Sequence, residues 1–205
     1  MPAIPTTKKG LRTRGKILEA AARVFARDGY VEARMVDIAS EGGLSTGGLY
    51  RYFDNKNEVF SALIADIHEG FFEQSGHTRG ILREDPLAGL TEANRGYIEY
   101  YYQNRQVMRV FIEAAGIDEQ YRSQLRAMRV RHVDRFVATY SQLFDTDQVR
   151  GVSVRIAAEA LACMVEQCCY VWFAQEADCA TKTSVEDAIK ITSQAWYVTM
   201  FKDNV

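Results

Sequence analysis

Residues 36–56, VDIASEGGLSTGGLYRYFDNK, predict two short helices joined by a tight turn. Apolar residues at helical spacing open the segment, and Gly42 and Gly43 then end the first helix, because glycine adopts a left-handed backbone conformation at little cost. Ser45 is a good N-cap for the second helix, since its hydroxyl can accept a hydrogen bond from an orphan amide of the next turn. This pattern restricts the local fold more than any other segment of the chain does.

The second helix begins with a first turn that is almost without side chains, in which Thr46 is followed by Gly47 and Gly48. Two glycines in a helix interior cost about 2 kcal/mol, at about 1 kcal/mol each. The bare turn therefore indicates that something large approaches the backbone closely, while Leu49 and Phe53 form the buried side. A small-residue helix packed in a core is the alternative, but it would not place phosphate-binding groups around its glycines. The groups found here are Tyr50, Arg51, Tyr52 and Lys56.

A longer pattern of apolar, glycine and aromatic residues extends over residues 12–63. It is carried by Ile17, Leu18, Glu19, Ala20, Ala21, Phe25, Gly29, Tyr30, Ile38, Ala39, Gly43, Leu44, Ser45, Gly47, Leu49, Tyr50, Tyr52, Phe53, Lys56 and Glu58. In order and spacing these residues resemble the DNA-binding domain of the tetracycline-repressor (TetR) family. The resemblance implies an all-α protein with an N-terminal three-helix helix-turn-helix head and a larger helical body. It also implies a ligand-responsive, sequence-specific transcriptional regulator, most often a repressor that a small hydrophobic effector releases from DNA.

Two positions depart from the family pattern. Four residues before Ile38 the family usually has Thr or Ser, which caps the second helix and touches DNA, but this chain has Arg34. Arg34 can still reach a phosphate, although its side chain cannot cap the helix. The family most often has His where this chain has Tyr52, whose hydroxyl can donate to a phosphate but whose ring carries no titratable imidazole.

The residue types around the bare turn predict two kinds of DNA contact. Tyr50, Tyr52 and Lys56 are expected to hold phosphates, while Arg51 and the small residues before it lie at or near base edges. The expected partner is a double-stranded, pseudo-palindromic operator, and the third helices of a symmetric homodimer enter successive major grooves about 34–36 Å apart. The complete predicted contact set is Arg34, Ser45, Thr46, Gly47, Tyr50, Arg51, Tyr52 and Lys56.

The charge of the chain is divided unevenly around a net of −2. Residues 1–56 carry ten Lys or Arg against six Asp or Glu, whereas the remaining residues carry 15 against 21. A basic head on an acidic body suits a protein that binds phosphate only at one end. We predict a DNA-binding domain over 1–56, with a basic N-terminal arm over 8–16, and an effector-binding and dimerisation domain over 57–205. The alternative for the arm is a solvated tail.

Helical spacing continues through the body, and strand alternation is absent. Three prolines, at positions 2, 5 and 86, leave nearly the whole chain free to be helical. Gly76 and Gly80 are expected to mark a break. Beyond the helix-turn-helix segment, helices are predicted over 11–28, 55–71, 85–101, 107–115, 118–144 and 147–175, followed by a last helix that Ser184 caps.

The helix predicted over 147–175 is apolar on most of its circumference. Its charged interior positions, Arg155, Glu159 and Glu166, fall within about 40° of one another on a helical wheel. A surface helix of a monomer buries only about a third of its circumference, so this one needs a second covered side. With the last helix it predicts a four-helix homodimer interface, as in the TetR family; a deep helix in a monomeric core is the alternative. The predicted interface residues are Arg155, Glu159, Ala162, Cys163, Glu166, Trp196 and Met200.

Aromatic residues are frequent between positions 85 and 175, together with polar residues on partly apolar helix faces. A ligand pocket usually combines a hydrophobic cleft with a few convergent polar groups. Each such residue alone would more often belong to a core, but in a TetR-like body they imply an effector pocket between the middle helices. The aromatic content favours a small hydrophobic or aromatic effector, such as a lipid or acyl compound. The predicted ligand-binding residues are Asn94, Tyr97, Tyr101, Phe111, His132, Phe136, Met164 and Gln167.

Other functional classes have little support in the sequence. No nucleophile elbow, glycine-rich phosphate loop after a strand or metal-ligand spacing is present, so no catalytic residues, no metal and no cofactor are predicted. The alternatives are a helical enzyme with dispersed catalytic residues, and an architectural or activating DNA binder without an effector switch. No apolar run of about 18 residues and no signal peptide is present, which predicts a cytoplasmic protein without a membrane partner.

Four cysteines occur near the C-terminal end: Cys163, Cys168, Cys169 and Cys179. Cys163 and Cys168 are predicted to be buried small hydrophobes inside the apolar helix. The adjacent pair Cys168 and Cys169 raises the possibility of a redox sensor. Adjacent cysteines in a helix point about 100° apart, however, and join poorly, and a cytoplasmic thiol is normally reduced.

Overall fold

The computed structural model describes residues 5–76, 78–175 and 181–202. This part of the chain is almost entirely helical, which confirms the predicted all-α class with an N-terminal helix-turn-helix head. The α-helices are α1 (Lys8–Glu32), α2 (Met35–Glu41), α3 (Thr46–Tyr50), α4 (Lys56–Gln74), α5 (Arg79–Glu84), α6 (Pro86–Ile117), α7 (Glu119–Phe144), α8 (Val154–Cys169) and α9 (Val185–Met200). The remaining elements are the strands β1 (Gln148–Val149) and β2 (Val152–Ser153) and a π-helical turn, Tyr170–Ala174.

Helices α1, α2 and α3 form the head around a shared apolar core. Phe25 of α1, Ile38 of α2 and Leu49 of α3 are completely or almost completely buried there. The first helix, predicted over 11–28, continues to Glu32 across a kink at Gly29, whose φ is 74°.

The basic segment 8–16 is helical from its start. Thr7 caps α1 by accepting a hydrogen bond from the amide of Gly10 at 3.1 Å. The basic segment is therefore part of α1, which begins three residues before the predicted start at 11. The predicted contact of its basic residues with phosphate is a separate question and stays a prediction.

The turn between α2 and α3 has the geometry that its sequence predicts. Gly43 has a φ of 65°, in the left-handed region where glycine carries no steric penalty. Ser45 caps α3, since its hydroxyl accepts a hydrogen bond from the Gly48 amide at 3.1 Å. Arg34 occupies the N-cap position of α2 without a capping bond from its side chain, as the residue type implies.

Helix α4 runs from the head into the body. Asn55 caps it by accepting from the Glu58 amide at 3.0 Å, and the Glu58 carboxylate accepts from the Asp54 amide at 2.9 Å. These two bonds form a capping box in which the Glu58 side chain bonds the Asp54 amide rather than that of Asn55 itself. Buried side chains, including Phe60 and Phe71, pack α4 against α1 and α6, so this helix connects the two parts directly.

The body is organised around α6, which contacts α1, α4, α5, α7, α8 and α9. The prediction of separate helices over 85–101 and 107–115 is wrong, because α6 is continuous from Pro86 to Ile117. Residues 102–106 contain neither glycine nor proline, so polar residues on the solvent side do not interrupt the helix. Gly80 lies inside α5, which leaves Gly76 alone in the predicted break.

The helix predicted over 147–175 begins later than expected. Asp145 ends α7 in the left-handed conformation, with a φ of 48°, and strands β1 and β2 then pair in a minimal antiparallel ladder. Ser153 caps α8 by accepting from the Ile156 amide at 3.3 Å. A ladder this short has no alternation that a sequence could display, which explains why it was not predicted.

Gly96 of α6 allows the end of α4 to approach closely. A Cβ at this position would lie 2.0 Å from the carbonyl oxygen of Gln74, a backbone atom that cannot rotate away. We expect Gly96→Ala to lower the free energy of unfolding by about 1–3 kcal/mol, measured by urea denaturation. Gly116→Ala is the control, because no atom lies within 4 Å of a Cβ there. Equal effects of the two substitutions would contradict a close approach at Gly96.

Candidate nucleic-acid interface and effector cavity

The bare first turn of α3 faces open space. Six of the eight predicted DNA-contacting residues are exposed, and the other two, Tyr52 and Lys56, are half-buried. No heavy atom lies within 4 Å of a Cβ built on Gly47. A large partner can therefore approach this backbone without displacing any part of the head.

Two of the predicted DNA-contacting residues are exposed arginines without an acidic partner within the described ranges. These are Arg34, at the start of α2, and Arg51, at the end of α3. By contrast, Arg23 and Arg27 pair with acidic side chains at 2.6 and 2.7 Å. An unpaired guanidinium can bind a phosphate without first breaking an ion pair, and its planar donors suit phosphate oxygens.

Lys56 makes two contacts within the head. Its Nζ donates to the carbonyl oxygen of Val31 at 2.7 Å and lies 4.9 Å from the centroid of the Tyr30 ring. Burial lowers the pKa of Lys56. An ammonium group has three N–H donors, so those not used by Val31 remain for a phosphate.

Tyr30 joins the head to the body. Its hydroxyl donates to Asn57 at the start of α4 and accepts from the Tyr121 hydroxyl of α7 at 3.0 Å. The rings of Tyr30 and Tyr121 meet edge to face, with centroids 5.2 Å apart. Burial raises the pKa of Tyr121, so its hydroxyl remains protonated. No local sequence signal could show this contact, because the two tyrosines are far apart in the chain.

Two adjacent cavities lie inside the body. The smaller, of about 140 Å³, is enclosed by residues from the end of α4 through α9. The larger, of about 270 Å³, lies between α6, α7 and α8. The side chains of Tyr97, His132 and Glu166 line both and so stand between them. The two cavities combine an apolar and aromatic lining with a few polar groups, which is the character of a small-ligand site.

Six of the eight predicted ligand-binding residues line one or both cavities: Asn94, Tyr97, Tyr101, His132, Phe136 and Gln167. Phe111 and Met164 line neither. Phe111 is fully buried and packs against Phe60 and Tyr121, with ring centroids 6.4 Å apart in each pair. Aromatic character alone could not distinguish a core residue such as Phe111 from a cavity residue.

Sequence reasoning missed two arginines that line the cavities, Arg129 and Arg135. The signal was available, because Arg129 precedes His132 by three residues on α7 and Arg135 follows it by three. Residues three apart on a helix share a face. The helix face that carries His132 was therefore more polar than its aromatic neighbours suggested.

Glu166 is engaged inside the body. Its carboxylate accepts from the Arg129 guanidinium at 2.6 Å and borders both cavities. Burial raises the pKa of Glu166, and Arg129 acts in the opposite direction. Glu166 was predicted at a dimer interface, but its charged end is directed towards α7 of its own chain.

The other predicted interface residues of α8 divide between surface and interior. Arg155 and Glu159 are exposed, and Arg155 pairs with Asp134 of α7 at 2.6 Å. Ala162 lines the smaller cavity and Cys163 the larger. A charge introduced at position 162 would therefore enter a cavity rather than a contact between protomers.

The two predicted interface residues of α9 are directed inward. Trp196 is 8% exposed and packs on Phe136, with ring centroids 4.7 Å apart. Met200 is fully buried, and its carbonyl oxygen accepts from the Tyr140 hydroxyl at 2.9 Å. Neither side chain reaches the surface of α9.

Large apolar side chains are exposed elsewhere on α8 and α9. Ile156 of α8 is 61% exposed, and Ile191 and Val198 of α9 are 54% and 45% exposed. The two helices pack against each other. Ile191 and Val198 are seven residues apart and so lie on one face of α9. Sequence reasoning identified both helices but not these residues.

The cysteines of α8 differ from the prediction in burial. Cys163 and Cys168, predicted to be buried, are only half-buried, while Cys169 is buried; all three are free thiols. Burial raises the pKa of each thiol, which disfavours the reactive thiolate. Cys179 lies outside the described residues.

The N-terminal part of the chain matches a known family. Residues 17–63 match the family described as bacterial regulatory proteins, tetR family. The head of this chain is a TetR-family DNA-binding domain. The matched residues fall within the segment 12–63 from which the resemblance was drawn, and the family consists of helix-turn-helix, DNA-binding transcriptional regulators.

Similarity to TetR-family relatives is concentrated in the head. The HTH-type transcriptional regulator TtgR of Pseudomonas putida is 38% identical over 64 residues, which cover 31% of this chain and 30% of TtgR. The match thus spans less than a third of that relative.

Solved structures extend the TetR-family likeness to the whole fold. PfmR from Thermus thermophilus aligns with a TM-score of 0.66 and 22% identity, over 90% of this chain and 96% of PfmR. SmeT, the repressor of the Stenotrophomonas maltophilia multidrug efflux pump SmeDEF, aligns with a TM-score of 0.72 and 20% identity, over 93% and 91% of the two chains. At these identities the likeness establishes the fold alone.

One segment of the described chain, Val154–Ala174, is long and apolar enough to cross a membrane by length and composition, although no such run was found in the sequence. In this TetR-family fold it forms α8 and the following π-helical turn. Its residues Arg155 and Glu166 pair with α7, and the segment packs against α6, α7 and α9. These contacts are those of a helix in the body.

Proposed function

We propose that this TetR-family protein is a ligand-responsive repressor. It binds a pseudo-palindromic operator as a homodimer and leaves the operator when a small hydrophobic effector occupies the body. The proposed division is a DNA-binding domain over 1–56 and an effector-binding and dimerisation domain over 57–205. Catalysis, metals and cofactors have no part in this function, and it places the protein in the cytoplasm, where the operator is.

The observation that carries the proposal is the exposed, bare first turn of α3. The same head carries the exposed guanidinium groups of Arg34 and Arg51, which have no acidic partner in the described ranges. In a helix-turn-helix the second helix enters the major groove with its N-terminal residues towards the bases. Here that end offers Ser45 and Thr46 as small hydrogen-bonding side chains, with Arg51 following at the end of the helix.

Assembly into a homodimer is supported by the exposed apolar groups of α8 and α9. Covering Ile156, Ile191 and Val198 with the same surface of a second copy gives a two-fold interface. A two-fold axis presents two heads in opposite orientations, which matches the symmetry of a pseudo-palindrome. Arg155 and Glu159 would lie at or near the rim of this interface rather than in its centre.

The position of the cavities supports a switch that acts through α4. The Arg135 guanidinium donates to carbonyl oxygens of Phe72 and Ser75 at the C-terminal end of α4, and it also contacts His132. A molecule that touches His132 therefore lies one side chain away from the end of the helix that begins in the head. An effector could shift the separation of the heads only by as much free energy as its affinity differs between the two spacings.

The test is a titration in both directions. Operator sequences are selected from random duplexes, and DNA affinity is then measured by fluorescence anisotropy across a metabolite panel. For any effector found, saturating DNA must weaken effector affinity by the same factor as the effector weakens DNA affinity. Independent binding of the two would remove the switch and leave an architectural or activating DNA binder.

Lys56→Ala is expected to weaken binding to all duplexes alike and to lower the slope of log affinity against log salt by about one unit, because one phosphate contact is lost. The measurement is anisotropy over a salt series. Lys190→Ala, at an exposed position on α9, is the control and should leave the slope unchanged. A change in sequence preference at constant salt slope would contradict a phosphate role for Lys56.

A further inference from the structure

Three residues that line the cavities each carry a buried polar atom without a hydrogen-bond partner among the residues that the structure describes. These atoms are the Tyr101 hydroxyl, His132 Nε2 and Trp196 Nε1. Tyr101 and His132 line the larger cavity, while His132 and Trp196 line the smaller. A buried polar group without a partner costs about 1–3 kcal/mol. Each of these three groups, on residues around the two adjacent cavities, would gain a hydrogen bond from a molecule that reaches it.

All three groups are hydrogen-bond donors. The Arg135 guanidinium lies 3.4 Å from His132 Nδ1, and a guanidinium can only donate. Nδ1 therefore accepts, and the imidazole proton resides on Nε2. Burial lowers the pKa of His132 to about 3, so the ring is neutral near neutral pH and keeps one N–H. Burial raises the pKa of Tyr101, which keeps the phenol protonated, and an indole N–H donates only.

The charges that border the cavities are already compensated. Arg129 pairs with Glu166 at 2.6 Å. Arg135 donates to Phe72 and Ser75 at the C-terminal end of α4, where carbonyl groups carry the negative end of the helix dipole. An anionic ligand would lie near the Glu166 carboxylate, and a cationic ligand would meet two guanidinium groups. The site therefore disfavours charge of either sign.

We propose that the body of this protein selects an uncharged, mainly apolar molecule whose oxygen atoms accept hydrogen bonds, such as a ketone, ester, lactone or quinone. This inference rests on the proposed effector site and names the chemical class that the site takes. A carbonyl oxygen has two lone pairs and can accept from two of the three donors. The apolar remainder lies against the aromatic lining, which includes Tyr97 and Phe136.

The test compares head groups on one skeleton. Calorimetric titrations near neutral pH use para-butylacetophenone as the ketone, para-butylbenzoate as the anion, para-butylbenzylamine as the cation and para-butylethylbenzene as the hydrocarbon. The ketone should bind about tenfold or more tightly than each of the others, as a net gain of one or two buried hydrogen bonds implies. The same comparison is made on a linear and a bicyclic skeleton. Absence of a ketone preference on all three skeletons, including absence of binding, would overturn the proposal.

Removal of single donors identifies the site. Tyr101→Phe, His132→Leu and Trp196→Phe each delete one unpartnered donor, and at least one should weaken ketone binding about three- to tenfold while hydrocarbon binding stays within twofold. Tyr101→Phe should not lower the melting temperature of the free protein, because its hydroxyl has no partner to lose. The control is Tyr140→Phe, whose hydroxyl donates to Met200. It should lower the melting temperature and keep the ketone preference. Equal ketone affinity in all three donor variants would place the molecule elsewhere.

Failure of this inference can be distinguished from failure of the proposed function. Ketone-selective binding without any effect on operator affinity would support the proposed ligand class and contradict the repressor switch. Release of the protein from its operator by an ionised effector would support the switch and contradict the proposed ligand class.

Discussion

Gly47→Leu is expected to abolish operator binding while the fold and the assembly stay intact. The position is exposed and no atom lies within 4 Å of a Cβ there, so a leucine side chain begins in open space and can extend into solvent. Against a duplex, the same side chain would hold the first turn of α3 away from the groove. Loss of both base and phosphate contacts from each head should lower affinity at least about a thousandfold, which is the usual gap between specific and non-specific binding. Anisotropy with the selected operator measures the change.

Gly116→Leu is the matched control for this substitution. It adds the same side chain at another glycine that has open space around it, but on α6 rather than on α3. Circular dichroism and sedimentation should show that both variants are folded and assembled like the parent protein. Unchanged operator affinity in a folded Gly47→Leu protein would mean that the bare turn does not face DNA, and the helix-turn-helix would then have to dock in another orientation.

The head could be predicted in detail because its determinants are local. A left-handed residue at Gly43 and a cap at Ser45 each depend on chain neighbours only, and both are present in the structure. The cap at Thr7 obeys the same rule. The start of α1 was nevertheless predicted too late, because the basic residues after Thr7 were interpreted as an arm rather than as the first turns of the helix. The ends of a helix can therefore be predicted from sequence when its capping residue is identified.

For the helices of the body, the side that faces the interior could not be predicted in the same way. Helix α9 has one apolar side towards its own body and another in solvent, and the sequence does not state which side is which. Trp196 and Met200 were assigned to the outer side, whereas the structure places them inside and leaves Ile191 and Val198 exposed. Only packing against α6 and α8 decides the rotation of the helix.

The cavity illustrates a second limit of sequence reasoning. His132 was predicted as a polar residue on a partly apolar helix face and Tyr101 as part of an aromatic cluster, and a polar group of either kind must find a partner when it is buried. Whether the partner is another residue depends on contacts between distant parts of the chain. Tyr140 finds the carbonyl oxygen of Met200, and Tyr101 finds no protein group in the described ranges. The difference between a core tyrosine and a ligand-facing tyrosine is thus visible only in three dimensions.

Combined replacement of Ile156 and Ile191 by Asp is expected to convert the dimer into a folded monomer with little affinity for the operator. Both side chains are more than half exposed in the protomer, at 61% and 54%. The substitutions should therefore change the free energy of unfolding of the monomer little. In a two-fold interface each substitution occurs twice. Burial of one isoleucine contributes about 1.5–3 kcal/mol, and the new carboxylates would resist removal from water. The dimer dissociation constant should therefore rise more than about a thousandfold, which sedimentation velocity over a concentration series can measure.

Ile117→Asp separates this effect from a general loss of surface hydrophobicity. Ile117, at the end of α6, is 74% exposed but does not belong to α8 or α9, so its replacement should leave both assembly and operator affinity unchanged. In the double variant the two losses are linked, because a single head makes half of the contacts and no longer gains from the second half-site. A monomeric double variant that keeps full operator affinity would show that DNA is bound without the two-fold arrangement. An unchanged dimer would instead place the contact between protomers on another surface, and the exposed apolar groups of α8 and α9 would then require a different partner.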